Sequence, residues 1–163
     1  MNSTRSDITT NSGDDMPIAD DFGVPFGERL KQTREKNGKT PHEVAKLAGL
    51  SSPTYYDLEN CAGDLTMTIS LLELSRIASV LGVPSRGFFS DHNSTHFISA
   101  QELSDRIKTY LASSKETITE FEDKVGFVIE PALSNPSEVL NWNVDCLRSV
   151  CLKLGIDWLS ALP

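Results

Sequence analysis

The stretch TPHEVAKLAGLSSPTYYDLEN, residues 40–60, decides the fold. Thr40 offers a side-chain oxygen ahead of an apolar run, Pro41 takes the first helical position, where a missing N–H costs nothing, and Glu43 follows at capping-box spacing. Val44, Leu47 and Ala48 then predict the inner stripe of a short helix, which Gly49 ends in a left-handed turn. Ser51 caps a second helix, Pro53 is tolerated in its first turn, and Tyr55 and Leu58 are spaced to face inward. The unit is two short helices joined with no slack.

Working outward, PFGERLKQTREKNGKT (25–40) places Phe26, Leu30 and the stem of Arg34 at four-residue spacing and closes with Asn37 and Gly38, which predicts a helix before the pair. After the loop CAGDLTMT, the run SLLELSRIASVLG repeats Leu71, Leu74, Ile77, Ala78 and Leu81 at helical spacing before Gly82, and VPSRGFF begins a short fifth element. The expected fold is all-α, with helices near 25–37, 41–48, 52–60 and 70–81 and at least three more after Ser99.

A length of 163 residues and a hydrophobic content of 39% can build one ordinary domain or two small ones. No apolar run approaches the roughly 20 residues of a membrane span, and the N-terminus lacks the charged start and apolar centre of a signal peptide. A cytoplasmic protein away from membranes is expected. Cys61, Cys146 and Cys151 are odd in number and off metal-site spacing, so they read as reduced, structural thiols. No His, Cys and carboxylate set falls at a motif spacing and nothing resembles a glycine-rich phosphate loop. The expectation is no enzyme, no catalytic residue, no metal and no cofactor.

The net charge of −8 is unevenly spread. Residues 1–24 carry −4, residues 25–91 balance to zero, and residues 92–163 carry −4. Residues 1–24 read as a disordered acidic tail, too polar to offset their ordering entropy. Between Arg29 and Tyr56, six basic groups stand against Glu35 and Glu43, a local excess of +4. That edge suits phosphate contact better than the total suggests.

Over residues 26–89 the chain resembles the Cro/CI-type helix-turn-helix domain of phage repressors and related bacterial regulators. The resemblance is carried by T-x-x-E-V-A-K-L-A-G-L-S, Y-Y-D-L-E-N and L-L-E-L-S-R-I-A-S-V-L-G-V at these spacings. It implies a five-helix domain that reads the major groove of double-stranded DNA with helix 52–60. It also implies a pair between Arg34 and Glu59 tying the first helix to the third. The family's base-reading positions fall at Ser52, Pro53 and Asp57, with Tyr56 beside them, and the long amides or arginines usual there are absent. Direct readout is therefore expected to be thin. Phosphate contacts are expected from Lys39, Thr40, His42, Lys46, Ser51, Thr54 and Asn60. Pro41 stands where the family usually has a phosphate-touching glutamine and removes a donor.

The chain also echoes itself. Shifted by 77 residues, LKQTREKNGKTPHEVAKLAGL lies on IKTYLASSKETITEFEDKVGF, and shifted by 73, LSRIASVLGV lies on LRSVCLKLGI, with glycines aligned in both blocks. The expected organisation is a DNA-binding domain over 25–91, a linker over 92–100, and a second, degenerate helical copy over 101–163. In the second copy VIEPALSNP stands in place of the base-reading helix, without a basic or amide side chain placed to reach bases. Phe127, Trp142, Trp158, Leu159 and Leu162 then suggest a homodimer or protein-partner surface. Two functions follow: a dimeric transcriptional repressor, or an antitoxin-like or adaptor module whose helix-turn-helix is vestigial or autoregulatory.

Overall fold

The computed structural model describes residues 25–60, 68–90 and 96–163; the acidic tail, Cys61 and the core of the 92–100 linker lie outside the described residues. The first unit contains α1 (Phe26–Lys36), α2 (Pro41–Ala48), α3 (Ser52–Asn60), α4 (Leu71–Leu81) and a 3-10 turn, Ser85–Phe88. The second contains α5 (Ala100–Ser114), α6 (Ile118–Val125), α7 (Glu130–Ser134), a 3-10 segment Pro136–Asn141, α8 (Val144–Leu154) and a 3-10 turn, Trp158–Ala161. The fold is all-α; among the described residues the only extended pairing is an isolated antiparallel bridge between Ser70 and Asn143. No helix of these residues is long and apolar enough to cross a membrane.

The capping chemistry of the opening stretch is realised. Thr40 accepts from the backbone N–H of Glu43, whose carboxylate accepts in return from the Thr40 N–H at 2.7 Å. That hydrogen bond from the Thr40 backbone holds the exposed Glu43 carboxyl below the usual carboxylate range. Gly49 closes α2 at φ 74°, and the Leu50 N–H returns to the Ala45 carbonyl at 2.8 Å, as a left-handed helix end requires. Leu47 departs from the expected inner stripe. It is 63% exposed, and the buried face of α2 is Val44, Ala45 and Ala48. Eight residues give little more than two turns, and small Ala45 lets α3 pack where a larger side chain would not fit.

Beneath this pair, α1 is driven hard onto the end of α3. A Cβ on Gly27 would stand 2.7 Å from the Glu59 carbonyl oxygen and 2.9 Å from that of Leu58, so the approach needs glycine.

The second unit repeats the first element by element. α6 lies 77 residues after α2 and repeats its capping box, with Thr117 and Glu120 in place of Thr40 and Glu43. α8 and the final 3-10 turn lie 73 residues after α4 and the Ser85–Phe88 turn. The counterpart of Gly27 is Ser104, whose buried hydroxyl donates to the Ala132 carbonyl at 2.9 Å, replacing a close backbone approach by a hydrogen bond.

The copies part at the third helix. α7 has five residues where α3 has nine. Asn135 takes an extended conformation ahead of Pro136, which has no N–H to continue a helix and disfavours α geometry in the residue before it.

A single buried cluster runs through both units, from Leu30 and Tyr55 to Phe121 and Leu147. Phe89 of the first unit packs edge-on against Trp158 of the second, with ring centroids 5.1 Å apart. The Leu71 N–H donates to the Trp142 carbonyl and the Ile98 N–H to the Ser160 carbonyl, both at 2.8 Å. Of the five expected surface side chains, Trp142 and Leu162 are buried, while Phe127, Trp158 and Leu159 lie against the same core and keep part of their surface exposed.

Candidate nucleic-acid interface

The interface is built from the inside of α3 outward. Tyr55 and Leu58 are buried completely or nearly so, and Glu59 is locked to α1. The Arg34 guanidinium reaches the Glu59 carboxylate through two parallel bonds, Nε to Oε1 at 2.6 Å and Nη2 to Oε2 at 2.9 Å, and gives a third to the Lys39 carbonyl at 3.0 Å. Arg34 and Glu59 side chains are only 9% and 4% exposed, so this is a desolvated, bidentate pair. The hydrogen bond to Glu59 raises the already high Arg34 pKa, and burial raises that of the neighbouring Tyr55 hydroxyl, which stays protonated. The tie fixes the rotation of α3 about its own axis.

With that rotation fixed, Ser52, Pro53, Tyr56 and Asp57 all come to the exposed side of α3, and Tyr56 is 61% exposed. At 100° per residue these four fall within one arc opposite Tyr55 and Leu58. The structure thus gathers the four expected base-reading positions on one face. Asp57 stands at one margin of it, lining a concavity of about 390 Å³ with Leu50, Thr54, Thr68 and Glu73.

The expected phosphate contacts divide into two kinds. Lys46 is exposed on α2, and Lys39 is half-buried just before it. The hydroxyls are already engaged in shaping helix ends. Thr40 caps α2, while Ser51 accepts from the Thr54 N–H at 3.1 Å and shares a 2.6 Å hydroxyl bond with the Thr54 side chain. One hydroxyl proton of the Ser51–Thr54 pair is left to donate outward. Asn60 turns its amide back to the Tyr56 carbonyl at 2.8 Å, which commits one of its two amide protons to the helix.

One contact has no counterpart in the residue-by-residue reading of the sequence. His42 Nδ1 lies 2.9 Å from Ser52 Oγ, clasping the first turn of α2 to the first turn of α3. The ten-residue separation hides it from helical spacing, though two polar residues at neighbouring helix starts are the signal that could have found it. The clasp sets two helix N-termini side by side, each carrying the partial positive charge of its unpaired N–H groups.

Residues 25–86 match the sequence family described as a helix-turn-helix domain, in agreement with the arrangement of α2 and α3. The match ends at Arg86, before the second unit begins. No curated protein matches the chain.

Proposed function

We propose that the protein is a sequence-specific DNA-binding transcriptional regulator of the Cro/CI-type, acting as a repressor in the cytoplasm by occupying its site. α3 enters the major groove of double-stranded DNA. The reading is carried by one observation: the buried Arg34–Glu59 pair holds α3 so that Ser52, Pro53, Tyr56 and Asp57 face outward together. In the groove Asp57 accepts from a cytosine amino group, Pro53 meets a thymine methyl, Ser52 adapts to either partner, and Tyr56 supplies an aromatic edge. Lys39 and Lys46, the outward hydroxyl of the Ser51–Thr54 pair, and the start of α2 at Thr40 and His42, set beside the start of α3, anchor the phosphates; Asn60 adds its remaining amide proton. With few side chains placed for base reading, sequence-dependent DNA shape carries much of the discrimination, and the phosphate contacts set the register.

Selection of bound duplexes from a random pool tests this. One enriched motif, whose preferred base at a single position changes in Asp57→Ala, is the expected result. A pool that returns unenriched would refute base reading by α3.

A second reading, a protein-interaction module, is favoured by exposed Ile118, Val128 and Leu152, respectively 37%, 62% and 60% accessible on the second unit. A homodimer would assemble through side chains such as these together with the exposed parts of Phe127, Trp158 and Leu159.

A further inference from the structure

Three features of the second unit, one of them at its seam with the first, belong together. The bridge joins Ser70 to Asn143, and these residues are equivalent under the 73-residue offset: Ser70 caps α4, and Asn143 caps α8. In an antiparallel pair the local symmetry is a twofold axis, so equivalent residues face one another only when that axis relates the two segments. Two copies of a subunit in an isologous dimer would meet in this way. Acids in the first turns, Glu73 in α4 and Asp145 in α8, offset the two positive helix ends that the bridge brings together.

The second feature is at the counterpart of the DNA face. Glu122 occupies the place of Ala45, and its carboxylate accepts from the N–H groups of Ile129 and Glu130 at 2.7 and 3.1 Å. The start of α7 is thereby satisfied by an internal anion where a DNA phosphate would otherwise dock. The third is the shortened α7, which ends before it could span a groove.

We infer that the second unit takes, within one chain, the position of a second subunit: the protein is a single-chain pseudo-dimer that meets DNA with one helix-turn-helix. The inference deepens the DNA-binding reading and rests on it for the prediction about the site. Its target is one half-site without dyad symmetry, bound by one chain per duplex, instead of the palindrome a homodimer reads.

Two experiments on the full chain test it. In the first, Ser70→Cys and Asn143→Cys are combined and oxidised, since paired positions on antiparallel segments lie within disulfide reach. A link between positions 70 and 143 inside one chain, seen by mass spectrometry on a species migrating as a monomer, is expected. A chain-to-chain link, or none, would overturn the seam. In the second, sedimentation is measured with and without the selected duplex. The inference expects a monomer alone and one chain on an asymmetric motif; a dimer, or two chains on a palindrome, would overturn it. If no duplex is enriched, the DNA-binding reading fails, while the disulfide and the sedimentation of the free protein still decide the pseudo-dimer.

Discussion

Replacing Glu59 by leucine leaves the Arg34 guanidinium in a pocket where its side chain is 9% exposed, with the Lys39 carbonyl as its remaining buried acceptor. Removing one partner of a buried pair costs about 3–5 kcal/mol. The lower end applies here, because the exposed Glu35 carboxylate lies 3.5 Å from Nη2 and can take part of the charge. Glu59→Leu should therefore destabilise the protein by about 3 kcal/mol, and Arg34→Met, which strands the Glu59 carboxylate without such relief, by at least as much. Replacing both removes the stranded charge and forfeits chiefly the bond to the Lys39 carbonyl, worth about 1 kcal/mol, so the double variant should be more stable than either single one. With a urea slope of about 2 kcal/mol/M, each single variant moves the unfolding midpoint by roughly 1.5 M or more and the double variant by about 0.5 M. Midpoints for the three variants, followed by circular dichroism, check this. Singles within about 0.2 M of the parent, or a double variant that loses the sum of both, would refute the claim that a desolvated pair sets the angle of α3.

Gly27→Ala should push α1 away from the last turn of α3, lowering stability by about 1–3 kcal/mol by overpacking, as thermal unfolding would register. Asp57→Ala should change the preferred base at one position of the site at a cost of roughly 1–3 kcal/mol in binding to the preferred duplex, read by titration of single-base variants. If it tightened binding to every duplex equally, Asp57 would be acting through charge repulsion alone. Burial pushes the Cys151 thiol up to about 12, so at pH 8 it should resist alkylation in the folded protein and react only on unfolding, whereas half-buried Cys146 should react earlier; the mass of the labelled peptides distinguishes them.

The parts of the fold governed by short-range chemistry were legible in the sequence. The bounds of α2 and α3 agree with the reading of residues 40–60, because a capping box, an N1 proline and a left-handed glycine act within one or two turns. The internal echo was legible for the same reason, since its glycines and caps recur at a fixed offset. Leu47 was misplaced because apolar character alone does not say which of several apolar residues faces the core. The destination of Trp142 and Trp158 was not legible: an aromatic set in excess of one small core reads equally as a surface or as the seam between two units, and only the tertiary arrangement separates these. The exposed face of α3 was legible from the spacing of Tyr55 and Leu58, and Thr40 and Ser51 were read both as helix caps and as phosphate donors. Thr40, Ser51 and Thr54 spend most of their hydrogen-bonding capacity on helix ends, and the His42–Ser52 clasp joins residues that no helical period relates.

The central claim is that this face of a net acidic chain docks on phosphates, and the salt dependence of duplex binding tests it most directly. The affinity of the full chain for its selected duplex should fall linearly on a log–log plot against salt concentration, and Lys46→Ala should weaken all duplexes alike while reducing the slope by about one. A slope near zero, or a Lys46→Ala variant with the parent's slope and affinity, would contradict the account.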